Sequence, residues 1–222
     1  MNYRSILPFL TIGLISHASG ALSLVNGDFS TNTTSGWTVT GTANASSGSA
    51  TISSGGQILQ DFDSTGNQLT DFTASFDISF GAINNAHRIR FEGNAGLDMI
   101  SLRLLDATTI QAFNGGPWAN VVTGLPMTVG TTYTLSIVGQ GFGTSLGTYT
   151  IGLSQGSTAL GTSVSNVGYY HSLVPATTTF ETFTVGASAG GVTVDNFQVV
   201  PEPATALLGG LGLLGLLRRR RP

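Results

Sequence analysis

The chain has 222 residues, a formal net charge of −3 and 9% charged residues, against about 25% in an ordinary soluble domain. Its eight cations are all Arg and it has no Cys, which excludes a Schiff-base lysine, a phosphate-loop lysine, a thiol nucleophile, a thiolate zinc site and a disulfide. An apolar fraction of 41% with so little net charge does not match a disordered chain, and 31 Gly alongside abundant Ser and Thr fit an exported all-β protein.

In chain order, the first segment carries Arg4, an apolar run over residues 5–15, and small residues around Ala18, Ser19, Gly20 and Ala21. A positive start, an apolar stretch and a small-residue cut site are the three parts of a secretory signal peptide, here assigned to residues 1–21 as a helix removed by signal peptidase.

Residues 22–200 show no helical period longer than two turns. They show period-2 runs bounded by Gly, Asn, Asp, Ser or Thr, the signature of half-buried strands. Phe72, Phe76, Ile78 and Phe80 share one face of a run over 70–80. Next, Ile89 and Phe91 point one way and Arg88 and Arg90 the other. The runs 98–104, 132–137, 148–153, 180–185 and 192–199 follow the same alternation. Roughly a dozen short strands at this spacing predict one antiparallel β-sandwich, a jelly roll, over residues 22–200. The stretch from Asn166 to Thr178 is not assigned.

The last segment reads Pro201, Glu202, Pro203, then 14 apolar residues from Ala204 to Leu217, then Arg218, Arg219, Arg220, Arg221 and Pro222. As a helix the apolar run is about 21 Å long, short against a hydrocarbon core of about 30 Å. The Arg cluster holds its end on the cytoplasmic side, leaving the body outside. A glycine pattern at Gly210, Gly212 and Gly215 copies a dinucleotide fingerprint, but no strand or βαβ unit surrounds it. Residues 201–222 resemble the PEP-CTERM sorting signal of Gram-negative bacteria. That resemblance implies recognition of Pro201, Glu202 and Pro203 by an exosortase, a membrane cysteine protease. It also implies removal of the tail after transient inner-membrane anchoring, and release to the cell surface or an exopolysaccharide matrix.

Two further resemblances concern the body. The strand order, with Arg88 and Arg90, a Trp118 loop and the paired runs at Tyr133 and Tyr149, resembles a concanavalin A-like jelly roll. The opening Asn26, Gly27, Asp28, Phe29, with Gly36 and Trp37, resembles galactose-binding-like carbohydrate modules. The second resemblance implies a calcium ion tying the first and last strands, with Asp28, Asp195 and Asn196 as candidate ligands. The three His, at 17, 87 and 171, are unclustered, which argues against a histidine metal site.

A catalytic set does not assemble from the residues. Gly143–Gly147 and Gly186–Gly190 both match G-x-S-x-G, but a nucleophile elbow needs a strand–turn–helix in an α/β sheet. Asp61 and Asp63 share one face of a run read as a charged edge strand. Trp118, Tyr169 and Tyr170 are the candidate sugar platforms, while Trp37 reads as core. The body has ten acids against three Arg, a formal charge of −7, which disfavours nucleic acid and disfavours acidic polymers unless calcium bridges them. The expectation is a non-enzymatic surface or matrix protein that grips polysaccharide or another surface. A concanavalin-like glycoside hydrolase and a self-assembling structural protein are the alternatives.

Overall fold

The computed structural model describes residues 25–61, 71–83, 87–93, 96–142, 144, 146–170 and 180–201. The signal segment, the residues from Glu202 through the apolar run, and the Arg cluster lie outside the described residues. Among the described residues no helix is long and apolar enough to cross a membrane.

The described residues form sixteen strands. In chain order they begin with β1 (Thr38–Thr40), β2 (Ala43–Ser46), β3 (Ser49–Ile52), β4 (Gln57–Asp61), β5 (Phe72–Phe80) and β6 (Arg88–Gly93). Then come β7 (Leu97–Asp106), β8 (Thr109–Phe113), β9 (Ala119–Thr123), β10 (Thr132–Gln140) and β11 (Thr148–Gln155). The last are β12 (Thr158–Leu160), β13 (Thr162–Ser163), β14 (Val167–Gly168), β15 (Phe180–Gly186) and β16 (Val192–Pro201). The first sheet runs β1-β4-β15-β6-β7-β8-β9-β13, and the second runs β12-β11-β10-β5-β16-β3-β2 with β14 paired to β11. The result is the antiparallel jelly-roll sandwich that the alternation predicts.

The core is built from the inward parity of both sheets. In β5 every second residue from Phe72 to Phe80 is buried, and in β10 Tyr133, Leu135 and Ile137 are buried likewise. Phe183 of β15 joins the two sheets. It stacks on Phe197 at 4.0 Å and 13°, and meets Phe91 at 4.9 Å and Phe76 at 5.1 Å. Trp37 packs on Phe29 at 5.2 Å and donates its Nε1 hydrogen to Asn26 O at 3.2 Å. It is a core residue, as its size and sequence position predict. Aromatic pairs of this kind contribute about 0.5–1.5 kcal/mol beyond their buried area.

One irregularity changes the reading of the last strand. The pairing of β16 with β5 shifts register between Asp195 and Gln198, and Asn196 takes φ 51°. A β-bulge of this type inserts one residue and inverts the parity. That is why Val194 and Phe197, three apart, are both buried. Asp61 ends β4 beyond Leu59, the last residue that β1 pairs, and pairs only on its other side, with Thr182 of β15, so it is exposed at a locally open edge; Asp63 lies outside the described residues.

Candidate functional site

The outward face of the first sheet is organised by register. Gln57, Gly186, Arg88, Arg103 and Gln111 stand opposite one another on five successive strands. A second row places Leu59, Thr184, Arg90, Ser101 and Phe113 on the same strands. Adjacent strands are about 4.8 Å apart, so each row extends about 19 Å across the sheet. Gly186 has no side chain and leaves a depression between Gln57 and Arg88. A groove of about 640 Å³ lies here, lined among others by Gln57, Arg88, Arg90, Asp98, Trp118 and Tyr170.

The aromatic end of the groove is assembled from two loops and β8. Phe113 meets Trp118 at 5.4 Å and Tyr170 edge-on at 4.7 Å. Gly115, at φ +92°, lets the 114–117 turn press against Tyr170, whose Cε2 would stand 3.0 Å from an added Cβ. Tyr170 N–H donates to Met99 O at 2.9 Å, which pins that segment to β7. Trp118 is flanked by two cations: the guanidinium carbon of Arg103 lies 4.3 Å from its ring centroid and that of Arg88 lies 5.2 Å away. The indole therefore holds arginines in place by cation–π attraction. Arg103 Nε donates to Gln111 Oε1 at 2.8 Å, and Gln111 Nε2 donates to Asn120 Oδ1 at 2.8 Å. This chain leaves the Arg103 head oriented rather than free to swing.

All three arginines of residues 22–200 are therefore on one face. Arg90 forms ion pairs with Glu92 at 3.4 Å and Asp98 at 3.6 Å. It also donates to Gln57 Oε1 at 3.4 Å. Thr182 Oγ1 donates to Glu92 Oε2 at 3.1 Å. Burial pushes the Arg88 guanidinium below its ordinary range, and the neighbouring charges of Arg103 and Arg90 push it further the same way. Thr184, in the second row, is 1% exposed and its hydroxyl has no hydrogen-bond partner in the protein.

The sequence-derived candidates fall in different places. Trp118 and Tyr170 line the groove. Tyr169 does not: it is 3% exposed and packs on Phe142 at 5.2 Å and Tyr149 at 5.4 Å. Neighbours in an extended segment point to opposite faces, so the pair cannot both reach one groove, and Tyr169 is a core residue.

Asp28, Asp195 and Asn196 lie near the outward face of the second sheet. Burial raises the Asp195 carboxyl above its ordinary range; the Asn196 N–H opposes this, and the charges of Asp77 and Asp28 reinforce it. One oxygen each of Asp28 and Asp195 accepts from a backbone donor. Ser30 N–H reaches Asp28 Oδ1 at 3.1 Å and Asn196 N–H reaches Asp195 Oδ1 at 2.6 Å. Asn196 Nδ2 and Thr134 Oγ1 occupy the two oxygens of Asp77 at 2.8 and 2.6 Å. Calcium needs six to eight oxygen ligands. Among the described residues no three His, Cys, Asp or Glu side chains gather as a metal site.

The second G-x-S-x-G match is the loop that crosses from β15 of the first sheet to β16 of the second, not an elbow. Ser188 N–H donates to His87 Nδ1 at 3.2 Å, and His87 Nε2–H donates to Ala82 O at 2.7 Å. His87 thus ties together two loops that each cross between the sheets. In the first match, Gly143 and Ser145 lie outside the described residues, as does His171. Pro201 closes β16, while Glu202, Pro203 and Arg218 to Arg221 are also outside.

Sequence reasoning missed the convergence of Arg88, Arg90 and Arg103 with Gln57 and Gly186. A usable signal was present: the body's three arginines sit at outward parity in two consecutive strand runs.

Comparison with known proteins adds an address and a fold. The PEP-CTERM protein-sorting motif matches residues 199–221. No curated protein matches the chain. Among solved structures, a sialidase is similar over 74% of this chain and 17% of its own, with a TM-score of 0.52 and 13% identity. A GH43 protein from Bacillus licheniformis is similar over 79% of this chain and 39% of its own, with a TM-score of 0.54 and 10% identity. This chain thus spans well under half the length of either, and similarity at such identity concerns the sandwich fold alone. The chain carries a PEP-CTERM sorting motif that links its export toward the cell surface to an exosortase-type membrane enzyme.

Proposed function

We propose that this is a non-catalytic surface or matrix protein of a Gram-negative bacterium, whose groove on the first sheet binds a glycan chain. After cleavage by signal peptidase it is held briefly in the inner membrane by residues 204–217, cut by the exosortase, and released. The observation that carries the binding clause is the groove itself, which presents polar side chains in strand rows with Trp118, Tyr170 and Phe113 at one end. An open groove about 19 Å across five strands suits a short run of sugar units better than a compact small molecule.

The non-catalytic clause rests on the carboxylates. Glycoside hydrolysis ordinarily uses two, placed across the scissile bond. Among the described residues lining the groove the carboxylate is Asp98. Its register partner Glu92 stands beside it on the neighbouring strand and pairs with the same Arg90, so the two are not set across the groove from each other. The concanavalin-like affiliation belongs to this proposal too, since it would make the groove face the binding face.

Two experiments test it. A glycan array probed with the exported protein should give retention that Trp118→Ala and Tyr170→Ala abolish; no retention on any glycan would remove the binding clause. Replacing Pro201, Glu202 and Pro203 by alanine should leave the chain uncleaved and membrane-bound. Normal release of that variant would overturn the sorting route.

A further inference from the structure

We infer that the groove selects an anionic glycan, one bearing carboxylate or sulfate groups, with Arg88 and Arg103 as the anion-binding residues. This rests on the glycan-binding reading above and names its ligand class. The body as a whole is acidic, with ten acids against three Arg. All three Arg nonetheless occupy adjacent outward positions: Arg88 faces Arg103 directly across β6 and β7, and Arg90, two residues along, is paired with Glu92 and Asp98.

Like charges set directly opposite on neighbouring strands destabilise a sheet. The cost is visible at Arg88, whose guanidinium is pushed down by burial and then by Arg103 and Arg90. The arrangement is nonetheless held in place. Trp118 lies against both Arg88 and Arg103, and Gln111 fixes the Arg103 Nε at 2.8 Å. A repelling pair of guanidiniums, braced by an indole and an amide beside a glycine-floored depression, is a preorganised anion clamp. A planar carboxylate or a sulfate on a sugar would relieve the repulsion and take two donors at once. The indole face turned toward Arg103 is then a brace for the clamp, and sugar contact falls to Tyr170 and the exposed edge of Trp118.

The test measures binding of the exported protein to polygalacturonate, dextran sulfate and uncharged dextran, at low and high salt, with single-stranded DNA as a fourth probe. Polygalacturonate, dextran sulfate or both should bind, and dextran and DNA should not. Preference between the first two identifies carboxylate or sulfate as the recognised group. Binding should weaken with salt, as interactions between accessible charges do. Arg103→Gln should weaken it roughly tenfold, the loss of one charge-assisted contact. Arg103→Lys should restore part of it, and Thr51→Ala on the opposite face should leave it unchanged. Unfolding midpoints of each variant separate lost binding from lost folding. Dextran bound as tightly as the charged chains, and lost in Trp118→Ala, would overturn the anionic preference while leaving the glycan groove standing. DNA bound as tightly as the charged sugars would overturn it as generic charge attraction. Failure of all three glycans to bind would overturn both.

Discussion

The two outward faces of the sandwich share a core and a strand period, yet they present opposite chemistry. The first sheet displays Arg88, Arg90 and Arg103 with Trp118 and Phe113. The second displays Thr and Ser with Asp77 and Asp195 directly opposite each other. There Thr51 and Thr193 hydroxyls pair at 3.2 Å across β3 and β16, and Thr134 bonds Asp77 at 2.6 Å. The second face satisfies its polar groups mostly from within, as cross-strand hydroxyl pairs do. The first keeps cations close together and leaves a groove between them. A net body charge therefore says little about what either face attracts, because all three cations of the body stand on the first face, beside Glu92 and Asp98, and none stands on the second.

The sharpest way to break this comparison is to remove what the faces share. Phe183→Ala should cost about 3–5 kcal/mol, because Phe183 touches aromatic rings from both sheets; urea unfolding should show one cooperative transition shifted as a unit. Two separate transitions would mean that the faces are held independently.

A change of pH should act at the end of the sandwich where His87 joins the loops. Burial lowers its affinity for protons, the Ala82 carbonyl opposes this, and the Arg88 charge reinforces it. The folded imidazole thus titrates below its ordinary value of about 6.5. Its contribution to stability is fully present above that value and is lost as pH falls through the lower, folded one. The unfolding midpoint should decline as pH drops below about 6.5, and His87→Asn should flatten that part of the profile. An equal decline in the variant would assign it to carboxylates elsewhere.

Thr184→Val tests the first face. Removing a buried hydroxyl without a protein partner while keeping its shape should raise stability by about 1 kcal/mol, read from the urea midpoint. A loss instead would show that the hydroxyl is bonded to water beneath the groove.

The smallest effect is expected on the second face. Asp195→Asn removes repulsion with Asp77 and Asp28 but keeps an acceptor for the Asn196 N–H. It should raise stability by roughly 0.2–1 kcal/mol at neutral pH, toward the lower end because solvent screens the site. The gain should shrink as acid protonates the wild-type carboxyl, whose folded titration is shifted upward.

Much of the fold could be read in advance because strand parity is local. Phe72, Phe76, Ile78 and Phe80 share a face whatever strand lies beside them, and Ile89 and Phe91 oppose Arg88 and Arg90 for the same reason. Parity misleads only where a bulge intervenes, as between Asp195 and Gln198, where Asn196, a residue type that tolerates the left-handed conformation, is the one local hint. The candidate site was half legible. Trp118 and Tyr170 could be named from a Gly-rich loop and an aromatic pair, but Tyr169 could be separated from Tyr170 only by knowing which of them faces the core. The calcium candidates were chosen for nearness to the chain's two ends. Nearness holds, and one oxygen each of Asp28 and Asp195 accepts from the N–H of Ser30 and of Asn196, close by in sequence, while the contact that sequence does not show is the long-range one of Asn196 with Asp77.

Composition and local pattern alone settle three properties of this protein: an antiparallel all-β body, a chemistry without lysine or cysteine, and a PEP-CTERM sorting motif. Each is local, carried by residue type or by a period of two. The groove is of another kind. Arg88 meets Arg103 because β6 pairs with β7 in one register, and Gly186 opens the floor beside them because β15, some ninety residues later, inserts next to β6. Parity decides which face a side chain takes, but only long-range register decides its neighbours, and the groove is made of neighbours.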